Sequence, residues 1–114
     1  MESILTSIKK MLGIEADYDH FDQDIIIHIN SALMTLNQLG VGPINAPSIS
    51  SEDDTWESML GSIAEIQAVK TYVYLKVRMI FDPPTSSFVL DAMKRQCDEL
   101  EWRLNVQVDP AKEV

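Results

Sequence analysis

The residues best able to do chemistry in this 114-residue chain are its acids, two histidines and one cysteine. The run Asp17-Tyr18-Asp19-His20-Phe21-Asp22-Gln23-Asp24 has the alternating carboxylates of a calcium loop. A calcium loop starting at Asp17 would need an oxygen ligand near Phe21, a glycine at Asp22 and a glutamate at His28. None is there. The run reads instead as a helix cap, with acids in the first turn where the macrodipole favours them. His20 and His28 have no companion at metal spacing, and His28 with Asp24 reads as a solvated i, i+4 pair. Cys97 has Arg95 and Asp98 nearby but no adjacent histidine to activate it, so it reads as a buried structural thiol. No glycine-rich phosphate loop, nucleophile elbow or zinc pattern is present. Acids abound, yet nothing singles out a pair for general acid–base work. The chain reads as a non-enzyme that needs no cofactor and no metal. Trp56 and Trp102 remain, and large aromatics serve either as core or as interface anchors.

These residues must be held by helices. Residues 3–12 place Ile4, Leu5, Ile8, Met11 and Leu12 on one side, with Gly13 as a stop. Asp19 is the expected N-cap of a long helix whose Ile25, Ile29, Ala32, Leu33, Leu36 and Leu39 recur at helical spacing. Ile26, Ile27 and Met34 widen that stripe, and Gly40 ends it. Residues 41–54 form the longest loop, with two prolines and a glycine; loops of this length are often functional. Thr55 can cap a short helix through Trp56, Met59 and Leu60. The next helix is expected over residues 63–81, with Ser62 as cap. It carries two apolar stripes: Ile66, Val69, Val73, Val77 and Ile80, and Ala68, Tyr72, Leu75 and Met79. A helix apolar on more than one side is buried centrally or lies between subunits. Asp82-Pro83-Pro84 ends it, because proline lacks a donor and disfavours helical geometry before it. The last helix is expected over residues 88–105, with Val89, Met93, Gln96 or Cys97, Leu100 and Leu104 as its core stripe. The fold class is therefore all-α: a small bundle of three longer helices and one or two short ones. Residues 1–105 form one helical domain, and 106–114 an extended tail.

Charge is uneven. The net value is −9, and residues 11–69 hold ten acids and no lysine or arginine. Such a surface repels nucleic acid. It suits simple solubility, a wall past which DNA slides, or a decoy shaped like DNA. No apolar run approaches the roughly 18 residues that cross a bilayer, so no membrane association is expected. The N-terminus lacks the basic lead and long apolar stretch of a signal peptide. A single cysteine fits a reducing compartment, or a fold that needs no disulfide.

The ordered set of features resembles a known family. Asp19 to Asp22 opens a long helix ending Leu39-Gly40, and a segment with Trp56 follows. Then come Val69-Lys70-Thr71-Tyr72-Val73-Tyr74-Leu75-Lys76-Val77-Arg78 and Phe81-Asp82-Pro83-Pro84. Last is Phe88 through Glu99-Leu100-Glu101-Trp102-Arg103-Leu104. Over residues 3–108 this resembles the head-to-tail connector, or adaptor, proteins of tailed bacteriophages. The resemblance implies a structural protein of the virion, assembled in the host cytoplasm and docked at the head–tail interface as a dodecameric ring beneath the portal protein. The ring would extend the DNA channel without binding DNA specifically, and would receive a stopper or tail-completion protein. Carried onto this chain, Val106, Gln107, Val108, Asp109 and Pro110 become the portal-docking tail. Glu52, Asp53 and Asp54 become a loop facing the channel or the stopper. Trp102, Tyr72 and Met79 are the interface candidates, the doubly striped helix supplying apolar surface beyond one small core.

Two other readings fit the residues. An acidic decoy would inhibit a DNA-binding enzyme as a monomer or dimer with carboxylates spaced like phosphates. A generic helical adaptor would hold one heterologous partner and form no ring.

Overall fold

The computed structural model describes residues 3–41, 48–60 and 66–108, with side chains up to Val106. The described chain is all-α, without strands: α1 (Ile4–Leu12), α2 (Asp22–Gln38), α3 (Trp56–Leu60), α4 (Ile66–Phe81) and α5 (Ser87–Val108). No helix of the described residues is long and apolar enough to cross a membrane.

Local chemistry sets the helix ends. The Ser3 hydroxyl accepts the Thr6 N–H at 3.2 Å and caps α1. Gly13 closes it in the left-handed region at φ 82°, where a side chain would be strained. At α3, Ser58 N–H donates to Thr55 Oγ1, and Thr55 N–H donates back to Ser58 Oγ, both at 3.0 Å. This is a reciprocal capping box with serine in the third position. Ser86 begins α5, its carbonyl accepting the Leu90 N–H at 3.0 Å.

Two boundaries differ from the sequence expectation. Asp19 does not cap α2; its carbonyl accepts the Asp22 N–H in a turn, and the helix starts three residues later behind Phe21. Side-chain packing outweighs capping here. Phe21 packs edge-on against Phe81 at 5.3 Å, and Lys9 takes the Asp22 carboxylate at 2.8 Å. At the other end, α5 runs through Val108, so Val106, Gln107 and Val108 are its last turn rather than extended tail. Pro110 is the first residue that forbids continuation. The expected start of α4 at residue 63 lies outside the described residues, as do residues 42–47 of the long loop.

α4 is the central element, packed by α1, α2 and α5. Val69, Tyr72, Val73 and Val77 are wholly buried, each contributing about 1.5–3 kcal/mol of apolar burial. Of its two stripes, only Ile80 is left largely open. The expectation that α4 supplies much surplus apolar surface to a partner is therefore corrected: apart from Ile80, both stripes are buried or half-buried within the chain. The helix directions follow from contacts. Phe21 at the start of α2 meets Phe81 at the end of α4, so those two are antiparallel. Tyr72 in α4 donates to Glu101 late in α5 at 2.7 Å, so α4 and α5 are antiparallel too. α2 and α5 thus run in the same direction on α4, and Asn105 Nδ2 donates to the Leu39 carbonyl at 3.0 Å where they end.

α1 and α3 are tied across the sequence. Ile4 N–H donates to the Asp54 carbonyl at 3.0 Å, and the Trp56 indole N–H donates to Ser7 Oγ at 2.9 Å. The loop before α3 is pinned by Asn30, whose amide donates to the Ile49 carbonyl at 3.0 Å and accepts its N–H at 2.7 Å.

Candidate functional site: the outward helix faces

Chemistry needs a concave site with convergent polar groups. The described residues offer a shallow hollow of about 380 Å³ lined by Thr6, Lys10, Gly13, Ile14, Glu15 and Ala16. It brings one lysine and one glutamate together with no histidine or cysteine. No group of three metal-ligating side chains occurs among the described residues. Burial, first of all, pushes the Cys97 thiol up to about 11, so it is an uncharged thiol in a nearly closed core position.

The sequence-predicted site residues separate into distinct environments. Trp102 is 67% exposed on α5. Tyr72 is fully buried, and so cannot be an interface residue in the folded chain; this corrects the expectation. Its hydroxyl serves the Glu101 carboxylate, and burial together with that bond holds the phenol far above its usual range. Met79 is half-buried against the core. Glu52 and Asp53 are exposed. Asp54 is not equivalent to them: its carboxylate accepts the Ser50 and Ser51 N–H groups at 2.8 and 3.3 Å and shapes the turn. Val106 is half-buried in the last turn of α5. The side chains of Gln107 and Val108, and all of Asp109 and Pro110, lie outside the described residues. Trp56, the other aromatic candidate, is core at 3% exposure.

Trp102 is not alone. At about 100° per residue, Phe88, Ala92, Arg95, Glu99, Trp102 and Val106 share one face of α5. That face points directly away from the side that buries Cys97 and Leu104. Phe88 is 77% exposed, the most open large apolar residue described. On α2 the outward stripe runs Asp24, Ile27, Ser31, Met34 and Gln38, opposite the buried Ile25, Ile29 and Leu36. Ile27 and Met34 are 59% and 55% exposed. Sequence reading named Trp102 as an interface candidate and had Ile27 and Met34 widen a core stripe, but assembled neither set into a surface. The signal was present as a seven-residue recurrence: Phe88, Arg95 and Trp102 on one helix, Asp24, Ser31 and Gln38 on the other.

Charge is sorted as well. Lys9, only 2% exposed, is spent on Asp22 and on the Ala16 carbonyl at 3.0 Å. Lys70 lies over the Trp56 ring at 5.8 Å, and Lys76 over Tyr72 at 5.9 Å. Arg78 donates to the Tyr74 hydroxyl at 3.0 Å and to the Asp82 carbonyl at 3.2 Å. Arg103 pairs with Glu99 at 2.7 Å. Lys9 is thus turned inward and Arg103 is paired at the surface, while Lys10, Lys94 and Arg95 are exposed and most of the described acids face solvent.

A family model described as phage connector protein matches residues 4–111, nearly the whole chain. No curated protein and no solved structure matches it.

Proposed function

We propose, since the chain belongs to the phage connector protein family, that it is the head-to-tail adaptor of a tailed phage. The family is structural, and the chain's part in a phage is that of a connector component. In this reading the chain performs no catalytic step. Copies dock as a ring beneath the portal, continue the DNA channel, and receive a stopper or tail-completion protein below. Residues 106–110, which begin with the last turn of α5, reach the portal. Glu52 and Asp53 face the channel or the stopper.

The observation that carries this proposal is the pairing of a nearly full-length family match with outward apolar residues on two helices. A lone subunit gains nothing by exposing Phe88, Ile27, Met34 and Trp102; an assembling one does. The run over residues 11–69 that holds no lysine or arginine supports the conduit. A wall with few free cations makes few phosphate contacts, so DNA passes without being held.

The test adds the purified chain to DNA-filled heads of its own phage that lack it. Electron microscopy is expected to show an added ring of density at one vertex. Unchanged heads overturn the proposal. Deleting residues 109–114 is expected to weaken that attachment; full attachment by the folded, truncated chain removes the tail from the reading.

A further inference from the structure

We infer that the outward stripe of α5 seats on the outward stripe of α2 of a second copy of this chain, Trp102 over Ser31 and Arg95 over Asp24. This rests on the ring reading above and names the two surfaces that the ring would join.

Three observations converge on that occupant. The first is position. α2 and α5 both pack on α4, and each turns its outward stripe away from it. A molecule with two different sticky faces, one on each of two helices, can join head to tail, which generates rings or filaments rather than a closed two-fold dimer.

The second is register. From Arg95 to Trp102 is seven residues, and so is Asp24 to Ser31, about 10 Å along either axis. α2 and α5 run in the same direction within one subunit, and small rotation between ring neighbours preserves that. A parallel contact therefore aligns both pairs at once. Trp102 then falls between Ile27 and Met34, where Ser31 leaves room for an aromatic ring.

The third is charge. α2 contains no lysine or arginine, and Asp24 is the acid on its outer stripe. Arg95 has no ion pair among the described residues and is the cation at the middle of the α5 stripe. For a chain of net charge −9, every subunit contact brings like charges together. Placing Arg95 on Asp24 offsets that at the contact and selects the parallel direction, since the reversed one sets Arg95 over Gln38.

Two experiments test it on the same heads. The first is a charge exchange. Asp24→Lys and Arg95→Glu alone are each expected to lower occupancy at a fixed concentration about tenfold, and the double variant to recover most of it. The second joins Ser31→Cys to Glu99→Cys in one chain and treats the heads with a short bismaleimide. Cys97 is buried and stays out of the reaction. The double variant is expected to give a ladder of dimers, trimers and longer products, and each single variant dimers at most. Rings of normal appearance with no ladder and no charge rescue overturn this pairing of faces and leave the adaptor reading intact. Failure of the unmodified chain to add density at the vertex overturns both.

Discussion

Replacing Asp22 with alanine strands a lysine inside the protein. Lys9 Nζ lies 2.8 Å from Asp22 Oδ1, with its side chain 2% exposed and that of Asp22 25% exposed. Without the carboxylate, the Ala16 carbonyl at 3.0 Å is the ammonium's remaining partner. Breaking a fully buried pair from one side costs about 3–5 kcal/mol; water reaching the vacated Asp22 position trims this to about 2–3 kcal/mol. The mirror change, Lys9→Met, leaves a carboxylate that water already touches. It also keeps most of the apolar stem packed, so its cost is about 1–2 kcal/mol. Asp22→Ala is therefore the more damaging of the two, and the double variant costs less than their sum by about 1 kcal/mol or more. Urea unfolding followed by far-ultraviolet circular dichroism reads all four proteins, and in thermal scans Asp22→Ala is expected to lower Tm by about 10 °C. A cost for Asp22→Ala near the roughly 0.5 kcal/mol of an exposed pair refutes the reasoning, as does a larger cost for Lys9→Met.

Trp102→Ala leaves stability within about 0.5 kcal/mol, whereas Trp56→Ala costs about 3–5 kcal/mol, both measured by denaturant titration. The single-tryptophan Trp102→Phe variant emits blue-shifted fluorescence that acrylamide quenches poorly, because only buried Trp56 remains. Asn30→Ala removes both bonds to Ile49, costs about 1–3 kcal/mol, and speeds hydrogen exchange at the Ile49 amide by at least tenfold. Alkaline pH destabilises the fold. The folded-state values of Cys97 and Tyr72 are raised above their usual 9.0 and 10.0, so both favour the native state while protonated in each state. That contribution is complete below pH 9 and is lost for Cys97 as pH rises to about 11, with Tyr72 following above 10. Denaturant midpoints across pH 8–11 check this, and a midpoint that holds constant contradicts it.

The bundle was legible because its signals are local and periodic. Gly13, the Thr55 cap, the Asp82-Pro83-Pro84 stop and the 3.6-residue apolar stripes each act within a turn or two of themselves. α5 overran its expected end because residues 106–108 carry no breaker before Pro110. Asp19 was displaced as a cap by contacts that no window reveals, since Lys9 and Phe81 are remote in sequence. The site was harder to read. Tyr72 and Trp102 are both large aromatics on apolar-rich helices, and only the packing order, with α4 at the centre, buries one and displays the other. Spacing alone cannot say which of two apolar faces has a neighbour. The core stripe of Cys97 and Leu104 was read correctly from spacing, but the exposure of Phe88 and Trp102 opposite it depends on no other helix of the described residues covering that face.

The ties between α1 and α3 bear on how the polypeptide acquires its shape. Helices of nine and five residues are too short to persist in water unaided. Yet Ile4 leans on Asp54 and Ser7 on Trp56, so each lends the other its permanence. During translation the first helix can meet Asp22 and α2 early, but its ties to Asp54 and Trp56 wait while some fifty further residues leave the ribosome. The two segments should then lock, and later fray, as a single cooperative unit.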